Sequence, residues 1–159
     1  MIKNFLKKIL YPEYRIQYLV NRYIEYEFSE SKYRLILKLL LRSILMTKYG
    51  IIIGANSKIE RGINLFHPIN IVIGDRCIIG KNCTIYHDVT LGQNHGKYPV
   101  IGDNVIIYPG AKIIGDVKVG NNAIIGANAV VVKDVLDNQI VGGVPAKVIG
   151  VNSDGKEFY

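Results

Sequence analysis

Cysteine is scarce in this 159-residue chain, which contains only Cys77 and Cys83. Two thiols do not make the disulfide framework of a small secreted protein, and they suit a reducing compartment. Charged residues, at 21%, are too few and too mixed in sign for a disordered chain, whereas the apolar fraction of 49% is enough for a real core. The length allows one domain of ordinary size plus a short appendage.

Long apolar runs are also absent. The most apolar stretch, residues 35–46, is interrupted by Lys38 and Arg42, and it is too short and too charged to span a bilayer. The first ten residues have basic side chains, but they lack a long apolar region and a small-residue cleavage site. We therefore expect a cytoplasmic protein.

Acidic residues are few in the N-terminal third. Residues 1–48 contain ten Lys and Arg against four Glu, while the rest of the chain is nearly neutral, so the net charge of +7 belongs mainly to this segment. The segment carries no nucleic-acid-binding motif, and we expect no nucleic-acid partner.

A six-residue period is the dominant feature from residue 53 onward. With two interruptions, Ile, Leu or Val recurs at thirteen leading positions, namely Ile53, Ile59, Leu65, Ile73, Ile79, Ile85, Leu91, Ile101, Ile107, Ile113, Val119, Ile125 and Val131. The period matches neither a helix nor a single strand, but it fits one short strand plus one turn. Three such units per coil predict a triangular parallel β-helix, a hexapeptide-repeat solenoid of the mostly β class, over residues 51–150.

A second series of mostly small or β-branched residues falls four positions after each leading aliphatic residue. Cys77 and Cys83 belong to it, and we expect both to be small core side chains and not a metal or redox pair.

Residues 1–50 lack the six-residue period and show helical spacing instead, with breaks near Pro12 and around residues 29–31. We expect two or three helices in this basic N-terminal segment, and a polar, frayed tail over residues 151–159. Two roles are open for the segment. It could cap the hydrogen-bonding edge at the open end of the solenoid, which we favour, or lie peripherally on an anionic membrane surface.

Two insertions interrupt the repeat, and loops on a rigid scaffold are the usual place for function. The interval from Leu65 to Ile73 is eight residues and contains His67. The interval from Leu91 to Ile101 is ten residues and contains His95. The third histidine, His87, lies in a regular repeat.

Counting two residues beyond the leading position on every third strand selects His67, His87, Pro109 and Ala127. With roughly 4.8 Å between coils, this column would extend over roughly 14 Å on one face. The column predicts a groove that holds an extended thiol-bearing arm with an imidazole at its far end. Each histidine alone could also be an ordinary solvated turn residue.

The stretches LFHPINIVIGDRCIIGKNCTIYHDVTLG (65–92) and IIGANAVVVKDVLDNQIVGGVPAKVIG (124–150) closely resemble the serine acetyltransferase branch of the left-handed β-helix acyltransferases. The resemblance covers about residues 51–150. It implies a left-handed solenoid that assembles as a homotrimer, with acetyl-CoA bound between neighbouring subunits.

The resemblance also assigns roles to individual residues. His67 matches the catalytic histidine, a general base that takes the acceptor hydroxyl proton. His87 is the second catalytic candidate, with an orienting or supporting role as the alternative. Pro109 and Ala127 match positions that contact the pantetheine arm of acetyl-CoA. Lys133 and Lys147 match the region that holds the phosphorylated nucleotide end, although both could be plain solvated lysines.

Four positions depart from the serine acetyltransferase pattern. Ile52 and Phe66 stand where carboxylates are usual, and Lys97 and Tyr98 replace an Arg-His pair that holds the amino-acid substrate. His67 would then need a backbone carbonyl or a neighbouring subunit's carboxylate to orient it.

These departures look more like the sugar or capsular-polysaccharide O-acetyltransferases of the same branch. We therefore predict transfer of an acetyl group from acetyl-CoA to a hydroxyl of a sugar or surface-polysaccharide precursor. His95, Lys97 and Tyr98 would bind this acceptor. The alternative is serine O-acetylation in cysteine biosynthesis.

Two further classes of protein are alternatives. A metal-dependent hydratase of the γ-carbonic anhydrase type uses the same prism, but zinc needs ligands converging at about 2.0–2.1 Å. The typical pair of histidines five residues apart is missing here, since His87 and His95 are eight apart. We expect no metal site. A purely structural solenoid is the other alternative.

Overall fold

A computed structural model of the chain describes residues 11–26 and 29–153. Lys3, Lys7 and Lys8 of the basic segment lie outside these residues, as do positions 154–159 of the predicted tail. Within the described residues, neither helix has the length and apolarity needed to cross a lipid bilayer.

In the described part of the chain, two helices precede the solenoid. The first, α1, spans Pro12–Glu25 and begins at a proline, whose missing N–H costs nothing in a first helical turn. The second, α2, spans Arg34–Tyr49 and ends at Gly50, which adopts a left-handed φ of 64°. The Ile51 N–H then donates to the Leu45 carbonyl at 3.0 Å, which closes the helix end and turns the chain into the first strand.

The rest of the described chain consists of short strands joined by turns and loops. Their bounds are β1 Ile52–Ile53, β2 Lys58–Ile59, β3 Asn64–Phe66, β4 Val72–Ile73, β5 Ile78–Ile79, β6 Thr84–Tyr86, β7 Thr90–Gly92, β8 Val100–Ile101, β9 Ile106–Ile107, β10 Lys112–Ile114, β11 Lys118–Val119, β12 Ile124–Ile125, β13 Val130–Val131, β14 Gln139–Gly142 and β15 Lys147–Val151.

The strands form three sheets that wind into a parallel solenoid. Sheet A contains β1, β4, β7, β10 and β13; sheet B contains β2, β5, β8 and β11; sheet C contains β3, β6, β9, β12 and β14, with β15 antiparallel at its end. From β1 to β13, paired strands are therefore three places apart along the chain, one coil further on, whereas β14 pairs with β12. The predicted fold class, a mostly β hexapeptide-repeat solenoid with a short helical N-terminal segment, is confirmed.

The core lies along the axis of the solenoid. All thirteen leading aliphatic residues are buried, with exposed fractions of 0–7%. Cys77 and Cys83 are also buried, and burial raises the pKa of each thiol to about 11. The interpretation of both cysteines as small core residues is confirmed.

Two positions of the second series point outward instead, Ile69 in the first insertion and His95 in the second. Ile69 is 61% exposed, and Ile71 takes the buried position two residues before the leading Ile73. The reason is that the two extra residues of the first insertion enter directly after β3, which shifts the inward position by two along the chain.

Helix α1 covers the open edge of sheet C. The side chain of Gln17 in α1 donates from Nε2 to the Ile63 carbonyl at 2.7 Å and accepts from the Leu65 N–H at 2.8 Å. The amide therefore satisfies both the donor and the acceptor that β3 would otherwise leave unpaired at the end of the sheet. Ile16 and Val20 of the same helix are buried against the core.

The opposite end closes with a hairpin. Val151 pairs with Gln139, and the buried Asn152 donates from its backbone N–H to the Asn138 carbonyl at 2.7 Å. Ordered structure thus continues two residues beyond the predicted boundary at Gly150.

Candidate active site

The two insertions lie at different corners of the triangular coil. The first joins β3 of sheet C to β4 of sheet A, and we call this edge of the prism the C–A corner. The second joins β7 of sheet A to β8 of sheet B, at the A–B corner. Within one chain, His67 and His87 therefore lie at a different corner from His95, Lys97 and Tyr98.

His67 begins the first insertion in a strained conformation. Its φ of 48° lies in the left-handed region, which is uncommon for a residue with a Cβ atom. The side chain of His67 is exposed, whereas Pro68 is buried directly after it. Strain of this kind often accompanies function, and here it points an imidazole outward at the C–A corner.

The two imidazoles at this corner face each other. The ring centroids of His67 and His87 are 6.3 Å apart, with an angle of 70° between the ring planes. His87 is half-buried, and its Nδ1 atom is buried without a hydrogen-bond partner among the described residues. The corner therefore combines an accessible imidazole with a second, partly covered one that has an unused ring nitrogen.

The predicted column is only partly in register. The Gly110 N–H donates to the His87 carbonyl at 3.0 Å, and the Asn128 N–H donates to the Pro109 carbonyl at 2.9 Å, so His87, Pro109 and Ala127 occupy matching places in successive coils. In the first coil the Asp88 N–H donates to Ile69, not to His67. His67 reaches the column through its side chain, because the insertion displaces its backbone.

Two polar contacts beside His87 were missed at the sequence level. Asp88 has a φ of 58°, and its carboxylate accepts a hydrogen bond from Asn70 Nδ2 at 2.7 Å. The ammonium group of Lys112 donates to the Asp88 carbonyl. These contacts fix the turn that carries His87, and no periodic signal in the sequence marks Lys112.

Stacked aromatic rings flank the histidines on the outer face of sheet C. The ring centroids of Phe66 and Tyr86 are 5.2 Å apart, as are those of Tyr86 and Tyr108, with interplanar angles of 20° and 21°. Sequence reasoning also missed this ladder. Its signal was present, because each ring directly follows a leading aliphatic residue on every third strand.

A cavity of about 400 Å³ lies beside the first insertion, on the side of α1 and α2. Its lining among the described residues is Ile16, Lys48, Tyr49, Gly50, Pro68, Ile69 and Asn70. Pro109 and Ala127 follow His87 in the opposite direction along the solenoid. The cavity has room for a small polar molecule, and Lys48 supplies a cation for an anionic group on it.

The second insertion forms a tight hairpin at the A–B corner. The backbones of Asn94 and Lys97 exchange two hydrogen bonds of 3.0 Å, and His95 and Gly96 make the turn with φ values of 48° and 76°. His95 is exposed at the tip. The hairpin presents its imidazole away from the C–A corner of the same chain.

The other two predicted acceptor residues anchor this hairpin. Lys97 Nζ lies 2.5 Å from Asp116 Oδ2 in the next coil. This ion pair lowers the pKa of the carboxyl of Asp116 and raises that of Lys97. Tyr98 packs over Gly74, where an added Cβ atom would lie only 2.9 Å from Tyr98 Cδ1. Both side chains thus hold the loop in place, and their role toward an acceptor stays a prediction.

The predicted nucleotide-binding lysines are divided between the corners. Lys147 begins β15 opposite Gly142, at the far end of sheet C from α1. Lys133 follows β13 of sheet A and lies at the A–B corner. Both are exposed. Only Lys147 is near the end of the column that begins at His67.

No carboxylate orients His67 within the part of the chain that the structure describes, where no ion pair involves its ring. Ile52, at the position where the resembling proteins have an orienting carboxylate, is 39% exposed on the outer face of sheet A. Within the same described residues, no group of three His, Cys, Asp or Glu side chains could hold a metal ion.

Comparison with known proteins agrees with the repeat architecture. Residues 98–133 match the model of the bacterial transferase hexapeptide (six repeats) family, and residues 70–94 match the hexapeptide repeat of succinyl-transferase. These matches agree with a hexapeptide-repeat solenoid of the kind found in bacterial transferases.

More particular similarity is to serine acetyltransferases. The serine acetyltransferase of Staphylococcus aureus is 43% identical over 104 residues, which are 63% of this chain and 49% of that protein. A solved serine acetyltransferase in complex with CoA has a TM-score of 0.72 at 32% identity, covering 82% of this chain and 55% of that one. The Neisseria gonorrhoeae enzyme in complex with serine has a TM-score of 0.75 at 30% identity, covering 91% and 60%.

The chain spans about half the length of the curated relatives it matches. These relatives are serine acetyltransferases, and so our prediction of a sugar or polysaccharide acceptor was wrong. It rested on four substituted positions, two of which, Lys97 and Tyr98, anchor the hairpin. Because these two side chains hold the loop in place, their substitution did not support a change of acceptor.

Proposed function

We propose that this protein transfers an acetyl group from acetyl-CoA to the hydroxyl of L-serine, with His67 as general base. The observation that carries the proposal is the exposed, strained His67, whose ring lies 6.3 Å from that of His87 at the C–A corner. The similarity to serine acetyltransferases supports the choice of acceptor. The product, O-acetylserine, would serve cysteine biosynthesis.

In the proposed reaction, His67 accepts the proton of the serine hydroxyl as its oxygen attacks the thioester carbonyl carbon. The tetrahedral intermediate then collapses, the carbon–sulfur bond breaks, and His67 returns the proton to the leaving thiolate. Such assistance typically accelerates a reaction by about 10²–10⁴-fold. Neither step needs a metal ion or a covalent enzyme intermediate. His87, held by the turn at Asp88, would support the His67 ring.

The two substrates would approach His67 from opposite directions. The column of His87, Pro109 and Ala127 leads from His67 toward Lys147, and this is where the pantetheine arm and the phosphorylated end of acetyl-CoA would lie. The solved complex of a similar protein with CoA supports acetyl-CoA as the donor. The cavity lined by Lys48 and Tyr49 would admit serine from the other side.

The separation of the two corners supports a homotrimer with shared sites. His95, Lys97, Tyr98 and Lys133 at the A–B corner cannot reach the C–A corner of their own chain. In a closed ring of three prisms, the A–B corner of one subunit would lie beside the C–A corner of the next. The apolar outer face of sheet C, with its aromatic ladder, supports such a contact.

The test is thioester consumption by the purified protein with acetyl-CoA and L-serine. His67→Ala is expected to lower kcat by at least about 10²-fold, since it removes the base. Lys58→Gln, an exposed substitution on sheet B, is the matched control and should leave the rate unchanged. Full activity of His67→Ala would contradict the mechanism, and turnover with other hydroxyl compounds but none with L-serine would contradict the acceptor.

The predicted division into segments 1–50, 51–150 and 151–159 and the cytoplasmic location remain predictions. The contacts of Gln17 with β3 support the capping role of the N-terminal segment. Peripheral membrane contact through the same segment also remains a prediction, and capping through α1 leaves α2 available for it.

A further inference from the structure

The outward half of α2 is apolar along its whole length. Its large side chains are 41–65% exposed: Leu35, Ile36, Leu39, Leu40, Ile44 and Met46. On a helix with about 3.6 residues per turn, these positions fall on one half of the circumference together with Ser43 and Thr47. This half, which we call the outward face of α2, contains no charged residue.

The inward half of the same helix packs on the protein and carries all of its charges. Leu45 is fully buried there, and Leu41 and Tyr49 pack against the core. The four charged residues are Arg34, Lys38, Arg42 and Lys48, and α2 contains no Asp or Glu. The charged residues nearest the apolar face are therefore all cations, with Arg42 along one edge and Lys48 just beyond Leu37 on the other.

An exposed apolar face of this extent normally marks an interaction surface. The solenoid does not cover it, because α2 uses its opposite half to reach the core. A second copy of α2 is a poor partner, since face-to-face pairing would bring the cationic borders of the two helices together. Residues 29–50 have five Lys and Arg against the single Glu30, so an acidic surface is the complementary partner.

We propose that α2 lies in the plane of an anionic lipid surface, with its outward face inserted among the acyl chains and its bordering cations at the phosphate level. Helices that bind membranes in this way combine an uninterrupted apolar face, basic borders and low net hydrophobicity. Tyr33, which is 56% exposed just before α2, has the amphipathic ring that favours the lipid headgroup region. The apolar face carries the insertion, and the net charge of the segment adds attraction.

The proposal concerns a surface and not the reaction. Lys48 is the one residue that it shares with the proposed serine site, and none of the variants below replaces Lys48, so the two proposals are tested separately. The experiment is flotation of the full-length purified protein with vesicles of phosphatidylcholine alone and of phosphatidylcholine with phosphatidylglycerol. Binding to the anionic vesicles is expected at low salt. It should weaken but persist as salt rises, because screening removes the electrostatic part and leaves the apolar part.

The decisive variant is Ile36→Glu with Leu40→Glu, which places two carboxylates in the centre of the outward face. Vesicle binding is expected to fall at least about tenfold. Both side chains are more than half exposed, so the fold should persist, and circular dichroism with thermal unfolding checks this. The matched control is Leu136→Glu with Val144→Glu, at exposed positions far along the solenoid, which should bind vesicles like the original protein.

Three results would overturn the proposal. One is a failure to bind anionic vesicles at low salt. Another is equal binding by the Ile36→Glu, Leu40→Glu variant and the original protein. The third is a loss of molecular mass in light scattering for that variant alone, with no vesicle binding by the original, which would show that copies of this chain cover the outward face of α2.

Discussion

His67 combines three local properties at one position. Its side chain is exposed, its backbone has a left-handed φ of 48°, and its ring lies 6.3 Å from that of His87. The buried Pro68 holds the chain directly after it. His67 shares its backbone conformation with His95, but only His67 has a second imidazole beside it, at the mouth of the column.

Lys48 is the residue whose charge suits the carboxylate of the proposed acceptor. It lines the cavity beside the first insertion, together with the uncharged Tyr49 and Asn70. Lys48→Gln is expected to raise the KM for L-serine about tenfold, because it removes a hydrogen bond between two charged groups. The KM for acetyl-CoA should stay unchanged. Steady-state kinetics with each substrate varied in turn measures both constants.

The control for this prediction is Lys58→Gln, which removes an exposed lysine on sheet B without approaching the cavity. An unchanged KM for L-serine in Lys48→Gln would show that the acceptor is held elsewhere, for example by the hairpin at the A–B corner.

Among the structural elements, α1 caps the hydrogen-bonding edge of sheet C, and a single side chain makes both hydrogen bonds. The two hydrogen bonds of Gln17 to β3 copy those of a neighbouring strand, while Ile16 and Val20 bury the end of the core. This arrangement shields an edge that would otherwise pair with other chains.

Gln17→Ala is expected to lower the free energy of unfolding by about 1–3 kcal/mol, because it leaves the Ile63 carbonyl and the Leu65 N–H without partners at a part-buried edge. Urea denaturation followed by circular dichroism measures the change.

The matched control for this substitution is Gln93→Ala. Gln93 also accepts a backbone hydrogen bond, from Gly96 at 2.8 Å, but in an exposed hairpin. Its loss should change the stability by no more than about 0.5 kcal/mol. Equal effects of the two substitutions would mean that Gln17 is not a cap.

At the scale of the whole molecule, the proposed site depends on which corners meet. One chain places His67 at the C–A corner and the hairpin with His95 and Lys97 at the A–B corner. A complete site would therefore need two chains, and closed three-fold symmetry supplies such a pair at each of three junctions.

Mixing two inactive variants tests this arrangement. His67→Ala is combined with the hairpin variant His95→Asn, Lys97→Gln, in which asparagine keeps the left-handed turn conformation. Each is expected to be inactive alone. Co-assembly in equal amounts should restore activity at about a quarter of the sites. Each site takes His67 from one subunit and the hairpin from the next, and each of the two is intact in half of the subunits.

Activity assays on the co-expressed and the separately mixed proteins provide the measurement. Separately assembled trimers that do not exchange subunits are the control and should stay inactive. A fully active hairpin variant, or no recovery after co-assembly, would contradict the shared site.

The six-residue period was enough to predict the solenoid and its core. A six-residue unit forms its strand and turn locally and buries its leading aliphatic residue against equivalent residues above and below, so the period alone predicted all thirteen buried positions. The same period predicted two buried thiols and located the insertions that carry His67 and His95, whereas helical spacing predicted the N-terminal segment.

The residues that meet at each corner could not be predicted from the period, because they are brought together by packing between coils. The first insertion displaces the backbone of His67 from the column, and Ile69 takes its place, because the extra residues enter directly after β3. The Asp116 partner of Lys97, the Gly74 beneath Tyr98 and the exposed half of α2 likewise follow from packing between segments distant in sequence. A local period specifies which side chains face inward, whereas contacts on the outside depend on how the coils, the helices and neighbouring chains come together.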